Sequence, residues 1–220
     1  MKPWIAPTAL SLALLGGGCT KHVLRAPIAV KDARELPVQG YSSGFRTSFR
    51  EKDIHVGDYL VTGIDRDFDQ SSQQNAGGFQ RLARKSAYRF ELKAAAHALH
   101  GECTAEYESR GKAGFAKVTS SFHCWCAEDN TPRADVTITN GTGRAQIIGN
   151  AYALTVLHQP QSGGPVKAAL GYQFKSPGGA LGAVDVTGNG RVWLPAGSSA
   201  DESTALVCSY AGLMLYRPAD

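Results

Sequence analysis

The sequence predicts a mainly β fold, an antiparallel barrel or sandwich, with one buried helix at its C-terminal end. Two observations indicate this. Several segments alternate apolar and polar residues, as strands with one face in a core do, and turn signals separate them. The last apolar segment, 205–216, breaks that alternation and is apolar nearly all round, which is typical of a helix inside a core.

The alternation predicts the strands in chain order. In the segment Tyr88–Lys93, for example, Tyr88, Phe90 and Leu92 would face the core. Asn140-Gly141 and Asn189-Gly190 are tight-turn signals, because Asn and Gly tolerate positive φ. The strands are predicted at 59–64, 88–93, 116–126, 136–138, 147–156, 170–174, 181–186 and 192–194. Ser199 and Glu202, at capping-box spacing, open the helix, and Arg217 and Pro218 end it.

Between the first two predicted strands lies a polar segment. Residues 70–75 are predicted to form a mobile loop. Beyond it, Arg81, Arg84 and Lys85 form a small basic cluster, which is ordinarily a solvated face. The alternative is contact with anionic headgroups or envelope polysaccharide.

The N-terminal residues have the features of a secretory signal. Lys2 supplies the positive start, residues 4–15 the apolar stretch, and Gly16-Gly17-Gly18 the small residues before Cys19. This pattern resembles the signal of bacterial lipoprotein precursors, which is cut just before a Cys that becomes lipidated; Gly16 stands where that family usually has Leu. The resemblance implies lipidation of Cys19. It also implies an outer-membrane location, because Thr20 and not Asp follows, and leaves the membrane face open.

Three segments are predicted: a signal peptide at 1–18, a lipidated tether at 19–50 and a single β-rich domain at 51–220. The tether is rich in Pro, Gly and Ser. Without the signal, 202 residues remain, with 22 cationic and 19 anionic side chains interspersed. A basic stripe typical of nucleic-acid binders is absent from this sequence, so no nucleic-acid partner is predicted.

The cysteine count supports export. Once Cys19 is lipidated, an even set of four remains: Cys103, Cys124, Cys126 and Cys208. Cys124 and Cys126 lie on the same face of one strand, at a spacing poorly suited to a bond between them, so each takes a different partner. A hairpin near Gly111 and Gly114 favours Cys103 with Cys124, and Cys126 with Cys208, although the exchanged pairing stays open. The alternative is a metal site at residues 123–126, but zinc sites prefer two to four residues between cysteines.

Antiparallel hairpins followed by a wholly apolar terminal helix are similar to the tubby and scramblase-like fold. In that fold a β-barrel surrounds its C-terminal helix. The resemblance implies that Cys208 links the central helix to the barrel wall. A sandwich with the helix against one open side is the alternative.

Several strings match catalytic or metal-binding motifs only in part. They are Gly40–Gly44 (G-x-S-x-G), Asp65, Asp67 and Asp69 (calcium), His97 and His100 (zinc), and Ser109 with Lys112 (S-x-x-K), and each lacks its companion residues or structural context. No catalytic residue, metal site or cofactor is therefore predicted. The sequence predicts a cell-envelope lipoprotein with a binding or structural role. Its partners are the membrane, through the anchor, and an envelope protein or polysaccharide. The alternatives are an envelope hydrolase with a dispersed site and a lipid-binding barrel.

Overall fold

The structure is a computed structural model, and it describes residues 24, 33–42, 53–67, 70–112, 115–161, 164–179 and 181–216. These residues contain fourteen strands and one helix. In chain order they are β1 (Arg34–Leu36), β2 (Val38–Gln39), β3 (Ile54–Val56), β4 (Tyr59–Arg66), β5 (Gln70–Ala76), β6 (Phe79–Lys93), β7 (Ala98–Lys112), β8 (Lys117–Glu128), β9 (Thr131–Thr139), β10 (Thr142–Ile147), β11 (Asn150–Leu157), β12 (Gly171–Lys175), β13 (Leu181–Asp185), β14 (Arg191–Leu194) and α1 (Ala200–Leu215). Cys19 and the predicted signal peptide lie outside the described residues.

All fourteen strands belong to one antiparallel sheet. Along the sheet the order is β1-β14-β13-β12-β11-β10-β9-β8-β7-β6-β4-β3-β2, and β5 pairs with β6 outside this path. The two end strands, β1 and β2, are separated in the chain by Pro37 alone. The sheet therefore nearly closes into a barrel, and the predicted fold class is confirmed in its barrel form.

Helix α1 fills the centre of this barrel. Thirteen consecutive residues, 203–215, are buried, because the wall surrounds the helix on all sides. The helix begins at the predicted cap, where Ser199 Oγ accepts a hydrogen bond from the Glu202 backbone N–H at 3.1 Å. At the other end, Tyr216 N–H donates to Gly212 O at 3.0 Å. Full burial of each large apolar side chain contributes about 1.5–3 kcal/mol, so the helix is a principal source of stability.

Gly212 lets the helix approach the wall closely. A Cβ at this position would lie 2.5 Å from Cys124 Sγ and 3.1 Å from Cys103 Sγ, so only glycine fits. The Tyr88 hydroxyl of β6 donates a hydrogen bond of 2.6 Å to Gly212 O in the buried interior. The last turn of α1 is thus held against β6, β7 and β8.

The four described cysteines form two pairs at disulfide distance. Cys103 and Cys124 lie opposite each other on β7 and β8, with Cα atoms 4.0 Å apart. Cys126 and Cys208 join β8 to the helix, with Cα atoms 6.4 Å apart. These are the pairs that the predicted hairpin favoured, and the second links the central helix to the wall.

The long strands β6, β7 and β8 continue past the end of the helix. Cys126 of β8 lies beside Cys208 of the helix, and Phe122 of β8 lies beside Tyr216 at the C-terminal end of the helix. Residue numbers in β8 therefore fall towards the helix C-terminus. Its first residues therefore lie beyond that end of the barrel, as do the paired parts of β6 and β7. We call this extension, residues 70–76, 79–86, 106–112 and 117–121, the arm. The barrel end that it leaves is the helix-C end, and the opposite end is the helix-N end.

Three predictions about local structure need correction. Residues 70–75 are not a loop, since β5 pairs with β6 from Gln70 to Ala76. The predicted strand 147–156 is a hairpin, because Ile148 and Gly149 turn the chain with φ of 46° and 77°. β1 and β2 lie inside the predicted tether and pair with β14 and β3, so the sheet begins before residue 51.

Candidate functional site

The outer face of the arm carries a concave groove of about 720 Å³. Side chains alternate along a strand, and Tyr88, Phe90 and Leu92 of β6 face the helix, so the odd-numbered residues of β6 point outwards. The register then places outward residues of four strands side by side. From this face the groove is lined by Ser72, Arg81, Ala83, Lys85, Glu106, Glu108, Thr119 and Ser121. Ser71 and Arg84 also contribute lining atoms, although their side chains alternate to the other face.

Charges of both signs lie in pairs along the groove. Glu108 Oε1 is 2.6 Å from both Arg81 Nε and Arg110 Nε, and Lys85 Nζ is 3.2 Å from Glu106 Oε1. The hydrogen bonds from Arg110, and then from Arg81, hold the pKa of Glu108 below its usual value. Such exposed pairs contribute only about 0–1 kcal/mol each. The groove therefore presents cations and anions that a ligand can engage at little cost to the fold.

Hydroxyl and amide groups make up much of the remaining lining. Ser72 belongs to β5, and Thr119 and Ser121 belong to β8. At the rim, the confirmed turn at Asn140 is fixed to β8, since Asn140 Oδ1 accepts from Ser120 N–H and Asn140 N–H donates to Ser120 O, both at 2.9 Å. The arrangement suits a hydrophilic ligand with donors, acceptors and charges.

The predicted basic cluster lies at this groove: Arg81 and Lys85 are on its face of β6, and Arg84, which also lines it, lies between them in the chain. Sequence reasoning missed Glu106 and Glu108. The signal that would have found them is the alternation Glu106-x-Glu108-x-Arg110, which repeats every second residue on one strand face.

A second polar cluster joins the helix to the wall at the helix-N end. His97 Nδ1 is 2.8 Å from Glu128 Oε1, and His97 Nε2 is 3.1 Å from Asp201 Oδ1 in the first turn of α1. Arg133 Nη2 contacts the second oxygen of Glu128 at 2.5 Å. These hydrogen bonds, His97 first and then Arg133, lower the pKa of Glu128. Because each group already has a structural partner, the cluster anchors the helix start.

A dispersed hydrolytic site would bring two histidines and an acid together. His100 instead pairs with Glu102 at 3.4 Å, and His123 with Asp135 at 3.0 Å, neither acid being shared with His97. His158 Nδ1 lies 3.0 Å from the backbone oxygen of Ala168. Within the described ranges, no group of three or more His, Cys, Asp or Glu side chains is placed to hold a metal ion.

A scan against protein-family models, a search of curated proteins and a search of solved structures each returned no match. The chemistry of the groove must therefore be inferred from its own residues. In the part of the chain that the structure describes, no helix is long and apolar enough to cross a membrane.

The partial motifs occupy separate places. Ser109 and Lys112 lie on opposite faces of β7, since they are an odd number of residues apart on a regular strand. Asp65 forms an ion pair of 3.3 Å with Arg89, and Asp69 lies outside the described residues. Of the Gly40–Gly44 string, Ser43 and Gly44 also lie outside them, and the Tyr41 hydroxyl donates to Val186 O at 2.9 Å.

Proposed function

We propose that the chain is a cell-envelope lipoprotein, anchored in the outer membrane through Cys19, whose domain binds a polar envelope ligand in the groove of the arm. The proposed activity is binding and not catalysis. Two sets of features support it, one for the compartment and one for the ligand.

The compartment is supported by the cysteines and the N-terminal sequence. All four cysteines outside the signal region lie in two pairs at disulfide distance, an arrangement that suits an oxidising compartment. Residues 1–19 carry the pattern of a lipoprotein signal. An exported chain with an acylated Cys19 accounts for the use of all five cysteines.

The ligand binds on the outside of the barrel and not inside it. The helix occupies the barrel interior with thirteen consecutive buried residues, so an acyl chain has no place along the axis. The groove, in contrast, is open and lined with paired charges and hydroxyl groups. A hydrophilic ligand fits this lining better than a lipid tail does.

Among envelope components, a polysaccharide that carries carboxyl and amino groups, as peptidoglycan does, matches this lining. Its carboxylates can bind Arg81 and Lys85, and its amino groups Glu106 and Glu108. Hydroxyl and amide groups of the sugars can exchange hydrogen bonds with Ser72 and Thr119.

The groove is tested by co-sedimentation of the mature chain, residues 19–220 with Cys19→Ser, with purified peptidoglycan sacculi. Ala83→Trp fills the groove, and we expect it to weaken binding about tenfold or more, which is about 1.4 kcal/mol. The matched control is Ala153→Trp, on the exposed outer wall of β11, which should leave binding unchanged. Failure of the unsubstituted chain to bind sacculi, or equal losses in both variants, contradicts the proposal.

The anchor is tested in cells by Cys19→Ala. We expect loss of incorporated radiolabelled palmitate and transfer of the protein from the membrane to the soluble fraction. Unchanged palmitate labelling and membrane retention would contradict lipidation at this residue.

A further inference from the structure

Large apolar side chains are exposed at one place on the described surface, the far end of the arm. Phe79 is 49%, Phe115 89% and Val118 51% exposed, and in the described residues these are the exposed large hydrophobic side chains. A cluster of this kind on a protein surface marks an interaction site. We call Phe79, Lys112, Phe115, Lys117 and Val118 the tip.

The tip residues come from two adjacent turns. Phe79 follows the β5–β6 turn and lies opposite Lys112 in the register of β6 and β7. Lys112 accepts, through its backbone oxygen, a hydrogen bond of 2.9 Å from Phe115 N–H. The ladder therefore brings the two aromatic rings to the same end of the arm, with lysines between and beside them.

The charge of the distal arm has one sign. Residues 73–82 and 109–118, which lie beyond Glu108 in the register, contain no Asp or Glu, and they contain Arg81, Arg110, Lys112 and Lys117. Arg81 and Arg110 contact Glu108, nearer the barrel. Among the residues that the structure describes, Lys112 and Lys117 are exposed and have no ion-pair partner. Exposed aromatic rings beside unpaired lysines are the combination that binds the interface of an anionic bilayer.

The start of the described chain lies at the barrel end from which the arm projects. Leu24 is buried there; its backbone oxygen accepts from Arg191 Nη2 at 2.6 Å, and its N–H donates to Thr187 Oγ1 at 3.3 Å. Both partners flank the β13–β14 turn, where Gly190 approaches Met214 near the helix C-terminus.

The length of the arm and the length of chain between Cys19 and Leu24 allow the tip to contact the membrane that holds the anchor. Leu24 follows Cys19 by five positions, a length of chain that can reach at most about 18 Å. Phe79 and Tyr88 are nine positions apart on β6, which is roughly 30 Å of strand, and Tyr88 is level with the last turn of α1. The arm is therefore longer than the link to Cys19. This step rests on the anchor of the proposed function, whereas the composition of the tip does not.

We infer that the tip is a membrane-docking surface for an anionic phospholipid bilayer. Phe79 and Phe115 enter the interfacial layer, and Lys112 and Lys117 contact the lipid phosphates. Docking fixes the orientation of the domain, so that the groove faces the aqueous phase next to the membrane and not the lipid.

The test measures partition of the mature chain, with Cys19→Ser, onto phosphatidylglycerol-containing vesicles and onto pure phosphatidylcholine vesicles. We expect binding to the anionic vesicles that weakens with added salt. Phe79→Ser with Phe115→Ser should reduce the partition coefficient about tenfold or more, and Lys112→Gln with Lys117→Gln should reduce it similarly and flatten the salt dependence. The matched control is Lys93→Gln with Lys175→Gln, two exposed lysines towards the helix-N end, which should bind as the unsubstituted chain does.

Circular dichroism of every variant confirms folding, which substitutions of exposed residues should preserve. Absent binding to anionic vesicles, or undiminished binding by the phenylalanine variant, overturns the inference. Sedimentation without vesicles tests for a dimer. If the chain forms a dimer that the phenylalanine variant disrupts, and does not bind vesicles, the tip is an interface between copies of the chain and the inference is also overturned. Sacculus binding is measured on the same variants. We expect the phenylalanine variant to lose vesicle binding and to retain sacculus binding. This result would distinguish membrane docking by the tip from ligand binding in the groove.

Discussion

The same three strands have opposite character in the barrel and in the arm. In the barrel, β6 buries Tyr88, Phe90 and Leu92, and β7 and β8 bury their cysteines beside the helix. In the arm, no residue of these strands is buried and all of β5 is exposed. The backbone ladder is continuous through both parts, but only the barrel buries apolar side chains. Stability therefore resides in the barrel, and the arm's side chains are free to serve binding.

The largest expected effect comes from separating the helix from the wall. Cys126→Ser with Cys208→Ser removes a link between residues 82 positions apart, and should lower the free energy of unfolding by about 2–5 kcal/mol. Denaturant unfolding without reductant measures it. A shift no larger than that of Thr119→Ser in the arm would contradict the central role of the helix.

A smaller effect is expected where the helix touches β7 and β8. Gly212→Ala places a methyl group against Cys124 Sγ and should cost about 1–3 kcal/mol in unfolding free energy. The same substitution at Gly178, an exposed position with only Ser176 Oγ within 4 Å, is the control and should change it by less than about 0.5 kcal/mol. Equal effects at the two glycines would show that helix and wall are not closely packed.

The loss in stability on removing one tyrosine hydroxyl can be compared between the barrel and the arm. Tyr88→Phe deletes the donor to Gly212 O inside the barrel and should destabilise by about 1–2 kcal/mol. Tyr107→Phe makes the same change on β7 in the arm and should cost less than about 0.5 kcal/mol. Thermal unfolding of both proteins measures the difference, and a reversed order would place stability in the arm.

The smallest expected effect is a change in acid sensitivity. The pKa of Glu128 is lowered in the folded state, so its stabilising contribution is present above the usual value of 4.5 and is lost as the pH falls through the lowered one. Glu128→Gln should therefore flatten the fall of the melting temperature below pH 4.5. The pKa of Glu108 is lowered too, but its partners lie within the arm, so Glu108→Gln should flatten that fall less. Equal flattening would indicate that the arm unfolds together with the barrel.

The sequence predicted the parts of the fold that bury apolar surface. The alternation at Tyr88–Lys93 and the apolar residues on all sides of the helix both arise because these side chains are buried. In the structure the apolar side chains of both segments lie in the core. The favoured cysteine pairing followed from a hairpin that brings Cys103 level with Cys124, and the register has this pair. Core packing repeats at the period of the secondary structure and is therefore visible in one sequence.

The groove and β5 were not predictable by the same means. Every residue of β5 is exposed, so its polar sequence carries no alternation, and only pairing with β6 makes it a strand. β1 and β2 are three and two residues long, too short for a pattern, and Pro37 between them reads as a tether. The groove depends on which residues of β6, β7 and β8 stand side by side, and register is a long-range property.

The seam between β1 and β14 sets a condition on when the chain can fold. Arg34 pairs with Leu194, 160 positions later, so this closure must wait until the chain has been made as far as β14. Contacts of such large sequence separation form slowly. For the export that we propose, this delay favours translocation, because the barrel cannot close before β14 is available to pair with β1.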